Sequence, residues 1–221
     1  MTKRLFIWML AFLLSPAVAC AAADEAPYTA GVDYKLISPP QNTSVPKGHI
    51  EVIEMFWYGC PHCHRFIPYV DRWLKTKPAN VDFQLMPAVL RNEWEVHARF
   101  FYAEQALGLE DKLHIKLFDA IHKKESISHN EGGPLFDEDS LLDFVAKQGV
   151  DRKQFADAMH SFGVMAKVNR AKDMGLRYGV HGTPSIIVNG KYMIEAGMNG
   201  ADFNQMLKVV NYLVKKEQAG G

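Results

Sequence analysis

Two cysteines three positions apart, Cys60 and Cys63, stand where a buried-strand pattern gives way to a helical one. Ile50 to Tyr58 is apolar, aromatic and β-branched and reads as a strand; Gly59 breaks it, and Pro61 sits where a helix can begin. Phe66, Val70, Trp73 and Leu74 then recur at helical spacing. The two-residue gap puts both sulfurs in one helical turn, close enough to form a small strained ring. So short a loop stabilises little when it is closed. The third cysteine of the chain, Cys20, lies in an N-terminal leader. A disulfide scaffold would bridge distant segments with many cysteines, so chemistry explains this one adjacent pair better than stapling.

The position of the pair gives that chemistry a direction. Cys60 falls just before the helix, where unpaired N–H groups and the positive end of the helix dipole favour an anion. Its thiolate should be stabilised and its pKa lowered. His62, when protonated, would add to this. Cys63 lies one turn inside, with less field and less solvent, so it should resolve rather than attack. A stabilised Cys60 thiolate stabilises the dithiol, which makes the disulfide more oxidising and Cys60 a good leaving group. Three other readings compete: a structural disulfide; a zinc site, which needs four ligands where no second Cys or His pair has suitable spacing; and haem. Cys60-Pro61-His62-Cys63-His64 matches the C-x-x-C-H attachment signal of c-type cytochromes, and 10 methionines offer axial ligands. Against haem stands the buried strand directly before the cysteines.

The N-terminus places the chain in an exported, oxidising setting. Lys3 and Arg4 precede the apolar run Leu5 to Leu14; Ser15-Pro16 breaks it, and A-x-A sites follow, ending at Ala19, Ala21 or Ala23. This is the pattern of a cleaved signal peptide over 1–23, and the run is shorter than the ~20 residues that span a bilayer. Ala17-Val18-Ala19-Cys20 loosely resembles a lipoprotein box but has Ala17 where Leu is usual, so Cys20 reads as discarded with the leader rather than lipidated. The 25 basic and 25 acidic residues cancel, and no basic tract is interleaved with aromatics, so nucleic acid is not an expected partner. A 221-residue chain that is 48% hydrophobic suits one domain with an inserted subdomain.

Asp24 to Gly48 is turn-rich, with a short strand expected near Tyr34–Ile37, and Val81 to Ala88 reads as another strand. From Asn92 to Tyr178 the period turns helical. Val96, Phe100, Ala103 and Leu107 share a face, as do Leu113, Leu117, Ala120 and Ile121. Asp137 and Asp151 are expected N-caps, with Gly149 as the stop between them. Phe155, Ala158, Met159 and Phe162 form a further stripe, and Val164, Val168 and Ala171 another. The methionines and aromatics here read as core. Ser185 to Val188, Asn189-Gly190 and Lys191 to Ile194 make a strong hairpin signal, because Asn-Gly supplies the positive φ angles of a tight turn. Phe203, Met206, Leu207, Val210, Leu213 and Val214 mark a closing helix. The order implies an α/β sheet protein with a helical insertion.

Val52-Ile53-Glu54-Met55-Phe56-Trp57-Tyr58-Gly59-Cys60-Pro61-His62-Cys63, together with Gly182-Thr183-Pro184-Ser185-Ile186-Ile187-Val188-Asn189-Gly190, resembles the DsbA family of bacterial periplasmic dithiol oxidases. The resemblance covers nearly the whole mature chain. It implies a thioredoxin-like fold split into 24–88 and 171–221 by a helical domain over 89–170. Pro61-His62 resembles the oxidase branch, where thioredoxins carry Gly-Pro. A strongly lowered nucleophile pKa and an oxidising potential come with the family, a DsbA being the standing example of both. Pro184 matches the family's cis-proline, facing the disulfide and offering backbone hydrogen bonds to an extended peptide; from the residues alone it reads as a proline opening a strand. Thr183 matches the position that tunes potential and substrate release. Glu54 matches an acid beneath the site that relays a proton to Cys63, where the residues alone leave a solvated edge or a structural ion pair open. His64 reads as a helix-surface residue and His181 as surface or site rim. The resemblance also implies folding exported proteins as substrates, a DsbB-like, quinone-linked membrane protein as reoxidant, a monomer, and no metal or organic cofactor. Reductase or isomerase activity, electron transfer by a cytochrome, and a chaperone-like holdase independent of Cys60 are the alternatives.

Overall fold

The computed structural model describes residues 28–122 and 135–220. The leader expected over 1–23, with Cys20, lies outside them. In chain order the elements are β1 (Lys35–Leu36), β2 (Ile50–Phe56), α1 (Pro61–Leu74), β3 (Val81–Pro87), α2 (Glu95–Ala106), α3 (Glu110–His122), α4 (Glu138–Lys147), α5 (Arg152–Met159), α6 (Phe162–Tyr178), β4 (Ser185–Val188), β5 (Tyr192–Glu195) and α7 (Phe203–Gln218).

β2 is buried along all seven residues, Glu51 and Glu54 included, which is why its apolar residues fall on both faces rather than alternating, and it takes an interior place in a sheet of order β1-β5-β4-β2-β3. β3 lies parallel to it, Ile50 opposite Val81, with α1 as the crossover. β4 pairs antiparallel on the other side, Glu54 opposite Ile186, and β5 pairs antiparallel to β4. Asn189 (φ 51°) and Gly190 (φ 63°) make the hairpin turn. A Cβ at Gly190 would stand 2.1 Å from the carbonyl oxygen of Gln41, so the turn and the approach of the 41 segment both require glycine.

One face of the sheet is covered by α1 and α7: Phe66, Val70 and Trp73 meet Met206, Val210 and Leu213 over Val52, Val188 and Ile194. Ile53, Met55 and Ile187 point to the other face, beneath Trp94, Tyr178 and Val180. Helices α2 to α6 are inserted between β3 and β4 and pack their own core around Phe100, Phe101, Leu113, Leu117, Phe118 and Phe155. Phe56, Tyr58 and both cysteines belong to that inserted core. Asp137 and Asp151 cap α4 and α5, accepting from the backbone N–H of Ser140 and Gln154, and Gly149 (φ 73°) follows the end of α4.

One expectation changes. Phe162 does not extend the stripe of Phe155 and Met159. Ser161 accepts from the Val164 N–H and starts a new helix, leaving Phe162 in its first turn and 89% exposed. α6 runs unbroken across residue 170, the expected boundary of the helical domain. Val164, Val168 and Ala171 serve the inserted core while Tyr178 lies on the sheet, so one helix belongs to both layers. Among the described residues no helix is long and apolar enough to cross a membrane.

Candidate active site

The chain leaves β2 at Phe56 and turns over Trp57, Tyr58 and Gly59, with the Cys60 N–H bonded to the Trp57 carbonyl at 3.0 Å. A Cβ on Gly59 would lie 2.3 Å from the Trp57 ring, so the turn closes only with glycine there. Cys60 is the extended N-cap residue of α1 and Pro61 opens its first turn. Cys60 is 7% exposed and Cys63 is fully buried, which separates a reachable sulfur from an unreachable one.

Both cysteines are free thiols in this structure, so it is the dithiol whose electrostatics are described. The Cys60 pKa is brought down from 9.0 to about 5. The largest cause is a hydrogen bond from the Cys63 thiol. Burial works against it, and the Thr183 side chain and the N–H groups of Cys63 and His62 add to it. Cys63 goes the other way: burial first, then its bond and charge interaction with Cys60, push it well above 9.0. At neutral pH the pair therefore holds one thiolate and one thiol. The helix N-terminus acts here as expected, through its N–H groups. The His62 imidazole is turned elsewhere: Arg65 donates from Nη2 to its Nδ1 at 3.1 Å.

Opposite Cys60 stands the turn into β4. The Thr183–Pro184 peptide bond is cis, and the Thr183 carbonyl oxygen lies 3.2 Å from Cys60 Sγ, a contact that only the protonated sulfur can make as donor. The turn is braced by Ser185, whose hydroxyl donates to the Gly182 carbonyl at 2.8 Å, and by the Ala196 N–H, which donates to the Pro184 carbonyl at 3.1 Å. A shallow cavity of about 460 Å³ beside it is lined by His62, Arg65, Tyr69, Thr183, Ala196, Gly197 and Phe203.

Glu54 sits mid-strand in β2 at 5% exposure, on the face that α1 covers, which removes the solvated-edge reading. Burial, then the charges of Cys60 and Asp71, raise its pKa from 4.5 to about 8. Its carboxyl is thus protonated at neutral pH and feels the charge on Cys60. The sign of the linkage follows. Between pH 4.5 and 8 the folded chain keeps a proton that the unfolded chain releases, so stability is lost as pH rises through this window. Glu54→Gln should match the wild-type dithiol near pH 4 and exceed it at pH 8, the gap widening by about 1.4 kcal/mol per pH unit at most. Urea denaturation at the two pH values reads this directly; equal gaps at both would mean that Glu54 titrates normally.

His64 is not the surface residue expected. Its Nε2 pairs with Asp119 Oδ1 at 3.0 Å and its ring stacks on Phe118 and His122, tying α1 to α3. This commitment also leaves it poorly placed to serve a haem. His181 is exposed and lines a separate cavity with Leu90, Arg91, Trp94 and Leu176. Sequence reasoning passed over the surroundings of Trp57 and Tyr58. Trp57 stacks flat on Trp94 at 4.0 Å. The Tyr58 hydroxyl meets Glu104 and His114, and its carbonyl accepts from His122 Nε2. The available signal was Glu104, a carboxylate directly after the apolar stretch Phe100 to Ala103 and on the same helix. Among the described residues no group of three or more His, Cys, Asp or Glu side chains could hold a metal ion.

A thiolate held at a helix N-terminus against a buried partner thiol is built to exchange with other disulfides and thiols, and the sheet that carries it is that of the thioredoxin-like oxidoreductases. The comparisons with known proteins narrow this class. Residues 80–210 match the model of the DSBA-like thioredoxin domain. The thiol:disulfide interchange protein DsbA of Burkholderia cepacia is 37% identical over 205 residues, covering 93% of each chain. That of Pseudomonas aeruginosa is 36% identical over 211 residues, covering 96% of each. The crystal structure of Pseudomonas aeruginosa DsbA superposes with a TM-score of 0.77 at 38% identity, covering 87% of this chain and 96% of that one. The oxidoreductase DsbA from Xylella fastidiosa gives 0.76 at 34% identity, covering 87% and 98%. The chain belongs to the DsbA-like family and is a thiol–disulfide oxidoreductase, a protein dithiol oxidase. The haem, zinc and stapling readings of Cys60–Cys63 give way to that assignment.

Proposed function

We propose that the Cys60–Cys63 disulfide is donated to exported proteins as they fold. A substrate thiolate attacks Cys60 Sγ; the Cys60–Cys63 bond breaks, and Cys63 leaves with the electron pair and takes a proton from Glu54. A second substrate thiolate then attacks the substrate sulfur of the mixed disulfide and expels Cys60 as thiolate. Two electrons pass from substrate to enzyme, and the substrate gains one disulfide. A DsbB-like, quinone-linked membrane protein takes the two electrons back and restores the disulfide.

The observation that carries this reading is the asymmetry of the pair: Cys60 at the rim with a lowered pKa, Cys63 sealed beneath it with a raised one. Pro184 and Thr183 are the backbone platform for an extended substrate, Pro61 presets the first turn, and the cavity beside His62, Tyr69 and Phe203 receives apolar side chains without selecting among them. The enzyme works as a monomer in the periplasm, with 24–88 and 171–221 as the thioredoxin-like halves around the 89–170 insertion. The test is direct: the oxidised mature protein, mixed with a reduced, unfolded client, should lose one disulfide for each one the client gains, counted by thiol trapping. A client that stays reduced while the enzyme keeps its disulfide would defeat the proposal.

A further inference from the structure

We infer that the helical insertion positions the nucleophile, with Glu104, His114 and His122 as positioning residues that act on Cys60 by holding Tyr58, two residues before it, at both its hydroxyl and its carbonyl. The inference rests on the exchange reading of Cys60 given above and deepens it.

The turn from Trp57 to Cys60 lies beyond the β2 ladder. The Cys60 N–H to Trp57 carbonyl bond closes it and the His64 N–H to Cys60 carbonyl bond opens α1, but neither engages Tyr58, whose anchor must come from elsewhere. The insertion supplies it. The Tyr58 hydroxyl stands 2.6 Å from Glu104 Oε1 on α2 and 2.6 Å from His114 Nδ1 on α3, and those two groups are 3.1 Å apart. All three residues are buried. At the other end of the residue, His122 Nε2 donates to the Tyr58 carbonyl at 2.7 Å. The His122 ring also stacks 5.1 Å over His64, so α3 holds the chain on both sides of Cys60, at residues 58 and 64.

A purely packing role explains these residues poorly. Three buried polar side chains give up their hydration, and an apolar set of the same shape would fill the core with no such penalty. Among the described residues buried Glu104 Oε2 has no hydrogen-bond partner, which adds to the cost. Directional bonds supply what apolar contacts cannot, a single orientation for the tyrosine and hence one path for the turn behind it. That path fixes where Cys60 Sγ lies relative to the N–H groups of His62 and Cys63 and to Thr183, all of which favour its thiolate.

Three variants with one control test this in the full mature chain. Tyr58→Phe keeps the ring and removes the hydroxyl; His122→Leu removes the donor to the Tyr58 carbonyl; His122→Gln restores an N–H donor. Phe155→Leu loosens the same inserted core without touching residues 57–60 and is the control for lost stability. The readouts are the titration of Cys60 by thiolate absorbance and the equilibrium with glutathione. Tyr58→Phe and His122→Leu should each raise the Cys60 pKa and move the equilibrium toward the disulfide by about threefold, the size of a half-unit shift. Phe155→Leu and His122→Gln should leave both readouts at wild-type values. If Tyr58→Phe and His122→Leu behave like Phe155→Leu, the residues are core and the inference falls. Should the wild type oxidise no client, the exchange reading fails by itself, and the titration still decides the positioning role.

Discussion

Cys60→Ser protein should oxidise no client at any concentration, and Cys63→Ser protein should accumulate covalently joined to its substrates. Both outcomes follow from the depth of the two sulfurs. Cys60 is the sulfur a substrate can reach, and Cys63 is sealed under the first turn of α1. Without Cys60 no disulfide exists and the remaining thiol is buried with its pKa raised, so it neither attacks nor is attacked. Without Cys63 the Cys60 thiolate still forms a mixed disulfide with any oxidised partner, but the internal thiol that would displace that partner is gone. Non-reducing electrophoresis after acid trapping separates the cases: adducts with Cys63→Ser, none with Cys60→Ser. Adducts from the Cys60→Ser protein would reverse the two roles. Client oxidation at an undiminished rate by the Cys60→Ser protein would mean that Cys60 is not the nucleophile.

Much of this was legible in local signals. A strand ending at glycine, two cysteines and a proline at N1 were enough to place Cys60 at the helix N-terminus, because each is a short-range instruction and all agree. Asn189-Gly190, the caps at Asp137 and Asp151, and the stripe of α7 were readable for the same reason. Long-range ties were not. Tyr58 meets partners 46 and 56 residues away, and no local period announces that an aromatic in a strand-like run will bond to a carboxylate in another domain. Glu54 shows the same limit: the residue type at mid-strand was visible, but its burial depends on α1 lying across that face of the sheet. Phe162 was assigned to the wrong helix because Ser161 reads equally well as a residue within a helix or as a cap. For Pro184 the family resemblance named a cis bond that the residues alone left unspecified.

His62 separates what the sequence suggests from what the geometry supplies, and its replacement should move the redox equilibrium in a way that tells the two apart. Holding the Cys60 pKa near 5 instead of 9.0 favours the dithiol at pH 7 by about 100-fold, roughly 60 mV on a two-electron couple. The pKa is lowered on folding, so this stabilisation of the reduced chain is complete above pH 9 and is lost as pH falls through 5. The sequence credited the imidazole, yet that ring accepts a bond from Arg65, and the His62 group that favours the thiolate is its backbone N–H. Proline at this position has no N–H to give, and in the first turn of α1 none is needed for the helix itself. His62→Pro should therefore make the protein a weaker oxidant by about tenfold or more, the worth of one hydrogen bond to a charged group. His62→Ala keeps the N–H and should shift the glutathione equilibrium far less. If alanine and proline lower the potential equally, the imidazole governs Cys60 after all; if neither does, His62 has no part in setting the potential, and the Cys63 thiol and Thr183 carry the thiolate.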